Sequence, residues 1–100
     1  MKKFPIRIDK SEIEVFCKKH HINHLALFGS ILTSRFSKTS DVDVLVRFER
    51  KHTPHLFGIA GMEEELSEII GRQVDLRTPN DLSPYFRRDV LAHAETIYGE

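Results

Sequence analysis

Asp41 and Asp43 stand two residues apart in Ser40-Asp41-Val42-Asp43-Val44-Leu45-Val46, and ten residues separate them from Gly29-Ser30 upstream. On a strand, side chains two apart leave the same face, with α-carbons ~6.6 Å apart. Two carboxylates so placed repel each other unless a cation lies between them. A hard divalent ion such as Mg²⁺ suits such a pair, because it prefers oxygen ligands and keeps positions open for substrate phosphates. Asp75 lies in a second strand-like run, Gln73 to Arg77, with Val74 and Leu76 on the opposite face. If the two strands are neighbours, Asp75 joins the pair, and three carboxylates can hold two ions ~4 Å apart for in-line phosphoryl chemistry. Gly29 ends an apolar run where the chain must turn, and its missing Cβ lets a ligand approach. Ser30 is placed to open a short helix, whose first N–H groups attract phosphate. No Gly-Lys-Ser/Thr follows, so the turn is not a Walker loop, nor is it a dinucleotide fingerprint.

The elements that position these residues follow from the hydrophobic pattern. Ser11-x-x-Glu14 predicts a capping box opening a helix on which Ile13, Phe16, Cys17 and His20 share a face. Leu25 to Phe28 predicts a buried strand, followed by a short helix from Ser30 to about Arg35 and a polar turn over Ser37 to Ser40. Asp41 to Phe48 predicts a strand with Val42, Val44 and Val46 turned to the core. Leu56 to Ile70 has helical spacing, with Gly71 as its stop. Gln73 to Arg77 predicts the third strand, and Thr78 to Asp81 a turn. Ser83-Pro84 opens a last helix with Phe86, Val90, Leu91 and Ala94 as its apolar side. The expected architecture is an α/β (α+β) domain, a short mixed sheet of three or more strands with helices on one face, spanning residues 1–100 as one unit.

Composition narrows the function classes. Fifteen basic residues balance fifteen acidic ones, which argues against a chain that coats nucleic acid by charge. No direct nucleic-acid binding is expected. The lone Cys17 cannot form an internal disulfide, which points to a reducing, cytoplasmic setting. Its place on the apolar helix face marks it as a small buried hydrophobe rather than a reactive thiol. No apolar run approaches the ~20 residues that span a bilayer, and Met1 to Arg7 lacks the apolar stretch of a secretory signal.

With these motifs in hand, the chain resembles the minimal nucleotidyltransferases of the DNA polymerase beta superfamily, the antitoxins of HEPN/MNT toxin–antitoxin pairs. The resemblance rests on Leu27-Phe28-Gly29-Ser30, on Ser40 through Val46, on Gly71-Arg72-Gln73-Val74-Asp75-Leu76, and on Leu82-Ser83-Pro84-Tyr85-Phe86. It implies that Gly29 and Ser30 contact the triphosphate, that Asp41 and Asp43 bind two Mg²⁺ ions, and that Asp75 completes one metal site and helps deprotonate the attacking hydroxyl. It further implies transfer of AMP from ATP to a hydroxyl, a tyrosine by resemblance, on a cognate HEPN-domain RNase toxin, within a hetero-oligomer. The chain departs from many relatives at Thr33-Ser34, where they carry an arginine three residues after the motif serine. Two alternatives follow: an antitoxin that neutralises its toxin by binding, or a transferase acting on a small molecule such as an antibiotic. A chain of this length has room for the catalytic half of the larger two-domain enzymes, so a partner is expected to present the acceptor.

Other features have plainer readings. His20 and His24 are four apart, but Asn23 and the following strand interrupt the helix, so a solvated helix end is favoured over zinc. His52, His55 and His93 are expected to face water. Leu56, Phe57 and Ile59 are expected in the core. Arg47, Arg50, Lys51, Arg87 and Arg88 read as solvated charges, with Arg35 or Lys38 as substitutes for the missing arginine.

Overall fold

The computed structural model describes residues 4–99, and of Leu56 the backbone only. The expectations for Met1–Lys3 and for the Leu56 side chain fall outside the described residues. Four strands form one sheet in the order β3-β2-β1-β4: β1 Ile22–Phe28, β2 Val42–Phe48, β3 Val74–Arg77 and β4 Glu95–Gly99. β1 pairs antiparallel with β2 and β4, while β2 and β3 run parallel. The parallel pair needs a crossover, and helix α2, Leu56–Ile70, supplies it. Helix α1, Lys10–Lys19, precedes β1, and α3, Pro84–His93, precedes β4.

The core lies on one face of the sheet. Val42, Val44 and Val46 meet Leu25 and Leu27 of β1, together with Ile13, Phe16 and Cys17 of α1 and Met62, Leu66 and Ile70 of α2. Strand alternation and the helical period converge there, and each fully buried aliphatic side chain contributes ~1.5–3 kcal/mol. Cys17 sits within this cluster, where burial pushes its thiol up to about 12 and keeps it protonated.

Several expectations need correction. Asp9, not Ser11, caps α1: its Oδ1 accepts from the N–H groups of Ser11 at 2.9 Å and Glu12 at 3.1 Å. The helix therefore begins at Lys10 and carries Ser11 inside its first turn. β1 starts at Ile22 rather than Leu25, because pairing with Phe48 and a register shift absorb the polar Asn23 and His24. The helix expected from Ser30 to Arg35 is a single 3₁₀ turn, Gly29–Leu32. Phe57 is 88% exposed rather than buried, and on α3 Phe86 and Leu91 also stand exposed. β4 was not anticipated; Thr96, Ile97 and Tyr98 suit a strand and pair along β1.

Candidate active site

The parallel pairing sets Asp43 directly beside Asp75. Neighbouring strands lie ~4.8 Å apart, and residues in register share a face. Val42 and Val74 are likewise paired and fully buried on the core face, which turns both aspartates to the other side. Asp41 stands exposed one residue before the ladder, which opens with the Val42 N–H donating to the Gln73 carbonyl at 2.8 Å. On the antiparallel flank Asp43 pairs with Phe28, so the chain turns at Gly29 beside it. Gly29 has φ 76°, a left-handed conformation open to glycine, and a Cβ there would overlap Asp43 Oδ2. The five residues singled out from the sequence thus meet at one end of the sheet.

Electrostatics distinguish the three carboxylates. Burial pushes Asp43 above the usual carboxylate range, and the negative charges of Asp75 and then Asp41 push it further, with Arg77 partly offsetting them. Asp75 is held by Arg77, whose Nε donates to Oδ1 at 3.0 Å and whose Nη2 donates to Oδ2 at 3.3 Å. Arg77 lies two residues beyond Asp75 on β3, so it shares the acidic face. The strand period would have located it, but no role was assigned to it from sequence. The aspartates form a common field without closing into a tight ligand set. Among the described residues, the one trio of His, Cys, Asp or Glu with donor atoms all within 4.8 Å of one another is His21, Glu49 and His52, which lie just outside the strands β1 and β2.

The donor chemistry fits a hard divalent cation: carboxylate oxygens only, one of them raised in proton affinity by burial and then by its acidic neighbours, and seated against Gly29, whose missing side chain makes room for it. Asp41, Asp43 and Asp75 are the residues that would hold it.

Two sets of contacts fix the strands that carry these groups. β3 is an edge strand, and its unpaired N–H groups are taken by α2: Leu76 donates to Glu63 Oε2 at 2.8 Å and Val74 to Ser67 Oγ at 2.9 Å. Those bonds flank Asp75. Arg72 reaches back to the loop before Asp41. Its Nη2 donates to the Ser37 carbonyl at 2.8 Å and to that of Ser40, with the guanidinium 4.7 Å from the Phe36 ring centroid. Neither Glu63 nor Arg72 was singled out as a site residue, because their targets are backbone atoms 13 and 32 residues away.

The Gly29–Leu32 turn behaves differently from a helix start. Ser30 is its second residue rather than its cap, and the capping position falls to Phe28. Four residues cannot supply the aligned dipole of a longer helix. The turn is instead locked by Thr33, whose N–H and hydroxyl both donate to the Ser30 carbonyl at 2.9 Å. Thr33 Oγ1 also accepts from the Arg35 N–H at 3.1 Å. Arg35 and Lys38 are exposed.

Comparison with known proteins adds to this geometry. The profile of the nucleotidyltransferase domain matches residues 10–97. MJ0435 of Methanocaldococcus jannaschii, named as a candidate protein adenylyltransferase, is 31% identical over 88% of this chain and 92% of its own length. The protein adenylyltransferase MntA of Thermococcus cleftensis is 32% identical over 77% of this chain and 74% of its own. Among solved structures, the tri-AMPylated HEPN toxin of Shewanella oneidensis in complex with its MNT antitoxin contains a chain that superposes with TM-score 0.65. That match covers 91% of this chain and 70% of the other, at 18% identity, which is a likeness of fold.

Proposed function

The chain belongs to the nucleotidyltransferase domain family, and from that premise we propose that it transfers AMP from ATP to a hydroxyl group of a HEPN-type toxin. The observation that carries this reading is the register of Asp43 beside Asp75, with Asp41 one strand period away and Gly29 turning next to them. The protein adenylyltransferase MntA of Thermococcus cleftensis supports the protein acceptor, and the AMPylated toxin in the Shewanella oneidensis complex supports its class.

In this reading Asp41 and Asp43 would hold Mg²⁺, and Asp75 would complete the site. Mg²⁺ bound there supplies charge neutralisation at the phosphate oxygens. Gly29 leaves room for the Asp43 carboxylate beside the turn, and the triphosphate would lie against Gly29 and Ser30, with Ser30 orienting it from the locked turn. Asp75, released from Arg77, accepts the proton of the acceptor hydroxyl, a tyrosine in the favoured case. The acceptor oxygen bonds to the α-phosphorus as the bond from that phosphorus to the β-phosphate bridging oxygen breaks, and pyrophosphate carries the electron pair away.

The test is incubation of the chain with ATP labelled at the α-phosphate, Mg²⁺ and the product of the adjacent gene. Covalent label on that product is expected from the native chain, and none from Asp41→Asn or Asp43→Asn. Label persisting in both variants would remove the metal role; a tight complex without label would make the chain a binding antitoxin.

A further inference from the structure

We propose that His21, Glu49 and His52 form a second metal site, for a divalent transition ion of the zinc or nickel kind, at the end of the sheet away from the aspartates. Three chain segments meet there. His21 closes the link from α1 into β1, Glu49 follows the last residue of β2, and His52 lies in the next turn. Backbone bonds fix the arrangement: Glu49 N–H donates to the His21 carbonyl at 2.7 Å, and His52 N–H donates to the Glu49 carbonyl at 3.0 Å.

The local conformation is unusual. Among the described residues, the non-glycine positions with left-handed φ are His21, at 56°, and Lys51, at 70°. Both belong to this corner. Each such residue is sparsely populated and persists where its surroundings hold it. The consequence is that the rings of His21 and His52 stack at 3.8 Å between centroids and 17° between planes. Glu49 Oε2 lies 4.0 Å from His21 Nδ1. One donor atom from each of the three residues falls within 4.8 Å of the other two.

Zinc–nitrogen and zinc–oxygen bonds of ~2.0–2.2 Å place tetrahedral ligand atoms ~3.3 Å apart. Imidazole lone pairs lie in the ring plane, so His21 and His52 turn out of their stack to converge on one ion, a movement open to exposed side chains. Two imidazoles and a single carboxylate select a borderline ion over Mg²⁺, which requires an oxygen-rich shell. Three protein ligands on the surface leave a fourth position open. Asp43 is the second residue of β2 and Glu49 follows its end, so the two sites lie roughly 20 Å apart along the strand at ~3.3 Å per residue.

The site is tested by titrating Zn²⁺ into the intact chain by calorimetry, with Co²⁺ absorption to report tetrahedral ligation and Mg²⁺ as the control ion. His21→Asn retains a residue that tolerates positive φ, and His52→Gln and Glu49→Gln are surface changes, so unfolding is checked by thermal melts without metal. Loss of a partner that merely orients a ligand costs ~10–100-fold in affinity, and loss of a ligand itself is expected to cost at least ~10-fold. The expected result is a tetrahedral Co²⁺ signal and a Zn²⁺ site that is weakened by that factor in all three variants and unchanged in Asp43→Asn, distinct from any ion taken up by the aspartates. Zinc affinity unaffected by His21→Asn and His52→Gln, or abolished by Asp43→Asn, would overturn the proposal.

Discussion

Arg77 and Asp75 form a bidentate ion pair on the acidic face of β3, at 3.0 and 3.3 Å, so the third carboxylate of the proposed metal site is held by a cation from its own strand. A metal ion entering the site competes with that guanidinium. The pair is about half-exposed, in the range where ion pairs contribute ~0–1 kcal/mol. Arg77→Ala is therefore expected to tighten Mn²⁺ binding to the nucleotide-free chain up to ~5-fold. Asp75→Asn is expected to weaken it. Electron paramagnetic resonance titration of free Mn²⁺ reads both.

The raised pKa of Asp43 gives a pH signature. Because burial, then Asp75 and Asp41, favour its protonated form in the folded chain, the associated stability is present at low pH. It is lost as pH rises through the folded-state value, which lies above that of an unfolded aspartate. A divalent cation offsets this loss because it stabilises the ionised form. Thermal melts of the native chain should show little Mg²⁺ stabilisation at acid pH and a growing shift above the ordinary carboxylate range. Asp43→Asn should remove that pH dependence.

Gly29→Ala combines a left-handed φ with an overlap at Asp43 Oδ2. A loss of ~1–3 kcal/mol in denaturant unfolding is expected from the backbone strain. Transfer activity should fall further than stability accounts for, because the displaced carboxylate is one of the proposed ligands. Activity measured well below the melting temperature separates the two effects.

Glu63 and Ser67 hold the edge of the strand that carries Asp75. Removing the acceptor for a buried N–H costs ~1–3 kcal/mol, so Glu63→Ala should destabilise by that order and speed amide exchange at Leu76. Glu63→Gln keeps an acceptor oxygen and should retain most of both. Hydrogen exchange followed by mass spectrometry distinguishes the pair.

The sequence was most legible where one local rule sufficed. Alternation in β2 placed Asp43 and the valines correctly, although the strand begins at Val42 and leaves Asp41 one residue before it; Gly71 ended α2 where expected, and Ser83-Pro84 opened α3. It was least legible where partners are distant. β4 depends on pairing with β1 about seventy residues earlier, as the His24–Thr96 contact at separation 72 shows. Phe57 has helical spacing suited to a core yet lies exposed, because the α2 core positions are Met62, Leu66 and Ile70. Ser11 satisfied a capping pattern that Asp9, two residues earlier, satisfies in the folded chain. His21 and His52 stack across 31 residues of sequence, beyond the reach of any spacing rule.

The most direct measurement is a crystal structure of the chain grown with Mn²⁺ and a non-hydrolysable ATP analogue, with the anomalous signal of manganese used to locate the ions. The account predicts manganese bridging Asp41 and Asp43 to the phosphates, with Asp75 turned from Arg77 towards an ion. Manganese bound away from all three carboxylates, with the nucleotide ordered and Asp75 still paired to Arg77, would contradict it.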